Sequence, residues 1–490
     1  MNFKIKKEDK TIIITTLILG LINFFYLLSH NVLSNDALAN GKIYLSKGWE
    51  MDLGRPLLLV IDRLRGGLVS PQIIITISLI IIAICSILLV RIFEIKNKYS
   101  IILITILLVL YPTISESALY IYCFDSYSLA LLTSILGIFF IKEKKPLYAI
   151  ISIIASLSLY QAYISITITG VFILYILELL ENKNDFKAFI KNMFIILGGL
   201  ISYFIILKFG MIILGRQLAN YKGANSFGIE TILSLPKSIL NAYLDFFNYF
   251  FKETIIYNSY YYRNIINALL FIITLIILFI QSKKIDNKNR LFLAIAIILF
   301  PIATNIMNLI ACSTRINLVT GIGFVMFYIL FINLITKYIN KDIYKYITYF
   351  LVIILSYTFI LSNNGTFMAK EDTHNNYYSE CQKMLNKAYQ LDDYNDNLNW
   401  MITDIFRYQS NITPASNGYL ARDYETYDNY LGIKETEIFI KRFFGKNIYI
   451  IEEEDYHKIA KTKEFKNMKV GEVKIINSTI VYKNSENIAY

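Results

Sequence analysis

Acids, arginines and a tryptophan gather in one polar stretch, Ser34 to Arg65, set between two long apolar runs. It contains Asp36, Asp52 and Asp62, the arginines Arg55, Arg63 and Arg65, Trp49, and a Gly-Arg-Pro turn at 54–56. An arginine fork matches the oxygens of a phosphate, and a carboxylate can take the proton of an acceptor hydroxyl as general base. Aromatic rings such as those of Trp49 and Tyr160 can stack on sugars. Together these types suit transfer of a group from a lipid phosphate at a membrane face. Each also has a plainer reading. Asp36 alone reads as a solvated loop acid, and Glu116, beside the end of an apolar run, as a capping or surface residue. Asp125 falls inside an apolar run, where acids default to function but can also snorkel to the surface. Arg315 also reads as an interfacial anchor, and Tyr260–Tyr262, just before Arg263, as part of an aromatic belt.

The elements that must position these groups are membrane spans. Hydrophobic residues make up 56% of the 490, and only 17% are charged, with a mean hydropathy of +0.49. Several apolar runs approach the ~20 residues a helix needs to cross a bilayer. The chain is therefore expected to be an all-α polytopic membrane protein in contact with lipid. A net charge of +11 could suggest nucleic acid, but the lysines sit between the spans, so topology explains them and no nucleic-acid partner is expected. Cys85, Cys123, Cys312 and Cys381 show no metal-ligand or redox spacing; Cys312 and Cys381 could pair outside the membrane.

Taken in order, Lys4, Lys6, Lys7 and Lys10 precede a first span, Thr11 to Leu28, that lacks a small-residue cleavage site. A retained anchor with a cytoplasmic N-terminus is expected. Further spans follow at about 72–90, 101–113 and 119–141. The run 147–180 is too long for one span and divides into a hairpin at Tyr160-Gln161-Ala162-Tyr163. Spans near 193–214, 265–280, 291–310, 317–336 and 346–361 bring the count to eleven. Every second loop is short and rich in lysine, which places those loops in the cytoplasm and the C-terminus outside. In the long loop 215–263, Ser234-Leu235-Pro236 reads as a helix start with serine at the cap and proline in the first turn. The following aromatic stretch, 239–251, reads as an interfacial or re-entrant helix. Residues 1–361 form the expected transmembrane catalytic domain. Residues 362–490 form a small extracytoplasmic α/β domain, with a helix near 377–390 and strands near 447–451 and 472–476.

Several short motifs fall in a fixed order along these spans: Asn35-Asp36, Gly48-Trp49, Gly54-Arg55-Pro56-Leu57, Tyr111-Pro112 with Glu116, Phe124-Asp125, and Leu157-Ser158-Leu159-Tyr160-Gln161-Ala162. In this order the chain resembles the Gtr type-II serotype-converting glucosyltransferases, polytopic enzymes of the GT-C class, over roughly residues 11–361. The resemblance implies a bacterial cytoplasmic-membrane enzyme. It would move glucose, with inversion, from a polyprenyl-phosphate donor to a cell-surface polysaccharide such as an O-antigen unit. It further implies Asp36 as base or metal-linked acid, Glu116 as its support, and Arg55 and Arg315 on the donor phosphate. Trp49, Asp125, Tyr160, Gln161 and Arg263 complete the candidate substrate-binding set. A divalent cation, Mg or Mn, is the one cofactor implied. Where the family often has paired acids, Asn35 stands before Asp36, and one carboxylate holds such a cation poorly.

Two other classes share parts of this pattern. A polysaccharide polymerase or ligase would centre on a large loop between late spans, whereas here the charged loop comes first. A transporter of lipid-linked sugars would carry charges at mid-membrane and internal repeats, and the sequence has almost no midspan charge and no repeat.

Overall fold

The computed structural model describes residues 6–30, 32, 34–183, 185–219, 229–252, 261–310, 318–404 and 435–486. Two compact units emerge, one comprising Met1–Ser29 with Lys42–Asn364, the other His30–Gly41 with Gly365–Tyr490.

The helices run in chain order as α1 (Lys7–Ser29), α2 (Asn35–Asn40), α3 (Gly48–Asp52), α4 (Pro56–Leu64), α5 (Pro71–Ile92), α6 (Lys98–Leu110), α7 (Pro112–Leu119), α8 (Phe124–Lys142), α9 (Pro146–Leu159), α10 (Ile164–Leu180), α11 (Phe186–Ile213), α12 (Ile229–Phe251), α13 (Tyr261–Ser282), α14 (Asn287–Thr304), α15 (Met307–Ile310), α16 (Val325–Tyr338) and α17 (Asp342–Tyr389). All but α2 and the later part of α17 belong to the first unit. Proline opens α4, α5, α7 and α9, where its missing N–H costs nothing and its fixed φ suits the first turn. Asn97, Asp185 and Asp286 cap α6, α11 and α14 by accepting a backbone N–H. In hydrocarbon every backbone group must bond internally, so apolar runs of this length fold as helices.

Among the described residues ten helices are long and apolar enough to cross a membrane. The protein is a polytopic, all-α membrane protein with a small strand-bearing region at its C-terminal end. Of the eleven expected spans, α9 falls short: it has 14 residues, about 21 Å of helix. The expected break at Tyr160–Tyr163 is present as a 3₁₀ turn, Gln161–Tyr163, between α9 and α10. Two further helix ends near it are irregular. Tyr111 separates α6 from α7, and a 3₁₀ turn, Leu318–Phe324, precedes α16. That second turn packs against both α7 and the Gln161–Tyr163 turn. Broken backbone at membrane depth persists only where protein or a wet cavity surrounds it, and here each break is buried against another.

Buried polar pairs fix these breaks. Asn23 on α1 donates to Ser115 of α7 at 2.8 Å. Asn363 on α17 donates to Asn23 at 2.9 Å and to the Leu110 carbonyl at 3.0 Å, just before the Tyr111 break. The Ser134 hydroxyl on α8 meets that of Ser156 on α9 at 2.7 Å and the Tyr163 carbonyl at 2.8 Å. The long-loop helix differs from expectation. It begins at Ile229, so Ser234 is not its cap and Pro236 lies inside it. The helix holds because Ala242, Phe246, Tyr249 and Phe250 bury one face against α13, α14 and α15.

The second unit contains α2, the end of α17 and a three-stranded sheet: β1 (Asn399–Ile402), β2 (Val473–Ile476) and β3 (Thr479–Tyr482). The order is β1-β3-β2, with β1 parallel and β2 antiparallel to β3. The expected helix near 377–390 is the continuation of α17. The expected strand at 447–451 is reduced to an isolated bridge, Ile450 to Trp400. Cys381 is buried, and Cys312 lies outside the described residues.

Gly323 marks a close backbone approach in the bundle. A Cβ there would lie 2.3 Å from the Thr304 carbonyl oxygen and 3.0 Å from Ser165 Cβ. Backbone cannot yield as a side chain does, so Gly323→Ala should cost roughly 1–3 kcal/mol and lower the thermal midpoint in detergent. Gly198→Ala, whose Cβ would meet only Ile150 Cδ1 at 3.7 Å, should leave the midpoint unchanged or raised.

Candidate functional site

The first loop of the bundle unit closes on itself at its base. Tyr44 N–H donates to the Gly67 carbonyl at 2.7 Å and Val69 N–H to the Lys42 carbonyl at 2.9 Å. Between these ties, α3 and α4 place the charged side chains. Arg65 lies at the end of α4 and is almost wholly buried. It pairs with Asp62 at 3.0 Å and with Asp125 in the first turn of α8, and it donates to the Tyr122 carbonyl at 2.6 Å. Asp62 also accepts from the Ser46 backbone N–H at 3.1 Å and from the Ser46 hydroxyl. Burial pushes the Asp62 carboxyl up, against the pull of Ser46 and Arg65 in the other direction. Two buried carboxylates around one guanidinium stitch the loop to the bundle.

Arg55 is built differently. It caps α4 ahead of Pro56. Its Cζ stands 4.5 Å from the centre of the Tyr160 ring, and that ring stacks on Tyr127 with centroids 4.5 Å apart. Its Nε donates to Gln161 Oε1 at 3.4 Å. Among the described residues, every other arginine uses an Nη group on a protein oxygen: Arg63, Arg65, Arg91, Arg216, Arg263, Arg290 and Arg442. Within that set Arg55 alone bonds neither Nη. A guanidinium resting on an aromatic face with both terminal nitrogens uncommitted is a site for an anion that offers two oxygens.

A family model described as Glucosyl transferase GtrII matches residues 25–330. The chain belongs to this family. No curated protein and no solved structure matches it. Membership of the GtrII family, with the ten membrane-length helices, makes the protein a membrane glycosyltransferase. The matched span runs from the end of α1 to α16 and takes in the whole first loop.

Within this GtrII chain, Arg55, Tyr160 and Gln161 come together. Asp125 shares the first turn of α8 with Tyr127, but it is engaged by Arg65 and by the Ser126 N–H at 2.9 Å. Trp49 stands on α3 with 54% of its surface exposed. On the same short helix, Asp52 accepts two bonds from Arg216, at 2.8 and 2.7 Å, which hold its carboxyl below the usual range. Glu116 is buried in α7. Arg263 is elsewhere: it is buried at the start of α13 and donates to the Thr358 hydroxyl at 3.0 Å, the Thr358 carbonyl at 2.8 Å and Ser362 at 2.8 Å. Arg315 lies outside the described residues.

Asp36 sits on α2 in the second unit. Ser34 caps that helix, accepting from Ala37 N–H at 3.2 Å. Arg442, on the helix Glu435–Phe444, donates to the Ala37 carbonyl at 2.9 Å. Among the described residues no three His, Cys, Asp or Glu side chains gather. Asp62 and Arg65, named above only as members of the charged stretch, and Tyr127 and Tyr203, not named there, take part in these contacts. Asp62 and Arg65 stand about one helical turn apart in the sequence, and tyrosines inside otherwise aliphatic spans are the available signal for Tyr127 and Tyr203.

Removing one member of a buried charge cluster leaves the others uncompensated. Arg65→Met should therefore destabilise by roughly 3–5 kcal/mol, seen as a large drop in thermal midpoint. Adding Asp62→Asn and Asp125→Asn to Arg65→Met should recover part of that loss; a further additive loss would show that the three groups are not one unit.

Proposed function

We propose that this GtrII-family enzyme transfers glucose from a polyprenyl-phosphate donor to a hydroxyl of a cell-surface polysaccharide, at the outer face of a bacterial cytoplasmic membrane. The observation that carries the donor reading is Arg55, an arginine with both Nη groups uncommitted, held over Tyr160. A phosphate diester offers that fork two oxygens. A nucleotide donor would bring a second phosphate and a base, more than the one Arg55 fork matches. The orientation rests on the lysine-rich alternate loops, which favour a cytoplasmic N-terminus and an extracytoplasmic C-terminus.

In the proposed reaction the acceptor oxygen attacks the anomeric carbon, and the bond from that carbon to the phosphate oxygen breaks. Polyprenyl phosphate leaves with the bonding electrons, and its charge is stabilised by Arg55. The acceptor's proton passes to a carboxylate, for which the family likeness favours Asp36, with Glu116 in support. Attack from the face opposite the leaving group inverts the centre. Arg315 is a second candidate for the phosphate, and Trp49, exposed on α3, for the sugars.

Asp36→Asn should remain folded and lose transfer; turnover retained in that variant would remove Asp36 from the mechanism. Arg55→Ala should weaken binding of polyprenyl-phosphate-glucose by roughly 10- to 100-fold, the scale of a charge-assisted hydrogen-bond pair. An unchanged donor affinity would refute the phosphate role.

A further inference from the structure

Arg55 could rotate freely if only its own side chain defined its place, yet the backbone around it is held by two residues from distant parts of the chain. The Tyr203 hydroxyl on α11 donates to the Gly54 carbonyl at 2.6 Å. Gln161 Nε2 donates to the Leu53 carbonyl at 2.7 Å, to the Gly54 carbonyl at 3.2 Å and to the Tyr203 hydroxyl at 3.1 Å. The same amide turns its Oε1 to Arg55 Nε at 3.4 Å. The amide has one workable orientation. Flipped, it would set its oxygen against two carbonyls and its NH₂ against the guanidinium N–H.

Gly54 makes this approach possible. Its φ is +79°, and a Cβ there would fall 2.5 Å from the Tyr203 hydroxyl and 2.9 Å from Gln161 Nε2. On the other side of Arg55, Pro56 fixes the chain at the first position of α4. The peptide before Arg55 is thus anchored to the bundle, and the one after it is rigid by construction. The single bond that Gln161 makes to the guanidinium engages Nε and leaves the Nη pair uncommitted.

We propose that Gln161 and Tyr203 are positioning residues that fix Arg55 for the donor phosphate without touching the donor. This rests on the reading of Arg55 as the phosphate ligand. The Gln161 amide is taken up by the first loop, so its place is behind Arg55 and not on the sugar. A fork held in one orientation loses little freedom when phosphate binds, and donor affinity depends on that restraint.

The test measures binding of polyprenyl phosphate to the full-length protein in detergent, together with KM and kcat for polyprenyl-phosphate-glucose. Tyr203→Phe keeps the ring and removes one hydrogen bond. It should raise Kd and KM roughly three- to ten-fold, with kcat and thermal midpoint close to wild type. Gln161→Ala should weaken binding further. Gln161→Glu should weaken it most, because its carboxylate would pair with Arg55 and compete with phosphate. In an Arg55→Ala background, Tyr203→Phe should add nothing. If Arg55→Ala itself binds polyprenyl phosphate as wild type does, the phosphate reading fails. If Arg55→Ala is weak while Tyr203→Phe binds normally, or if the two losses add, the positioning role is overturned. Should the Gln161 variants not fold, Tyr203→Phe decides alone.

Discussion

The buried guanidinium of Arg65, shared by Asp62 and Asp125, is the interaction on which the rest of the site depends. Charge in an apolar interior is costly unless paired and hydrogen-bonded, so this cluster forms with its partners in place or not at all. Forming it docks the end of α4 onto the first turn of α8, which fixes the first loop over the bundle. Arg55, which on its own would read as a mobile loop cation, is carried on the same short helix that Arg65 anchors. The two arginines bracket α4. Arg65, at its C-terminal end, is neutralised by carboxylates, and Arg55, at its N-terminal end, keeps its terminal nitrogens uncommitted. One holds the loop and the other is held by it.

Much of the bundle could be read in the chain. Apolar runs became helices because backbone in hydrocarbon has no other way to bond, and the expected spans at 72–90 and 147–180 begin one residue after the prolines that open α5 and α9. The polar-aromatic cluster at 160–163 was legible both as a helix break and as part of a candidate site, and the structure places a break and the Arg55 contact there. Pro236 misled because its usual place is a first turn. Here burial of Ala242, Phe246 and Phe250 stabilises a helix that starts a turn and more earlier. In the C-terminal unit, the short strands β1 and β3 pair in parallel across a long sequence separation, and no local pattern announces such a pairing.

The site was legible by type and illegible by partner. Arg55 and Gln161 were visible as residues, but the bond between them spans 106 positions, and the Tyr203–Gly54 bond spans 149. Asp125 read as a lone intramembrane acid because Arg65, its counter-ion, lies 60 positions earlier. Asp36 read as part of the first loop, yet its helix belongs to the unit formed by the C-terminal region, where Arg442 holds the Ala37 carbonyl. Linear order shows which chemical groups a chain has; packing decides which of them are neutralised and which stay available.

The most direct measurement is sugar transfer by the purified, detergent-solubilised wild-type protein, offered polyprenyl-phosphate-glucose in one reaction and nucleotide-glucose in another, with a cell-surface polysaccharide acceptor in both. The expected result is glucosylated acceptor and free polyprenyl phosphate from the lipid-linked donor alone. Transfer from nucleotide-glucose, with none from the lipid-linked donor, would contradict the account.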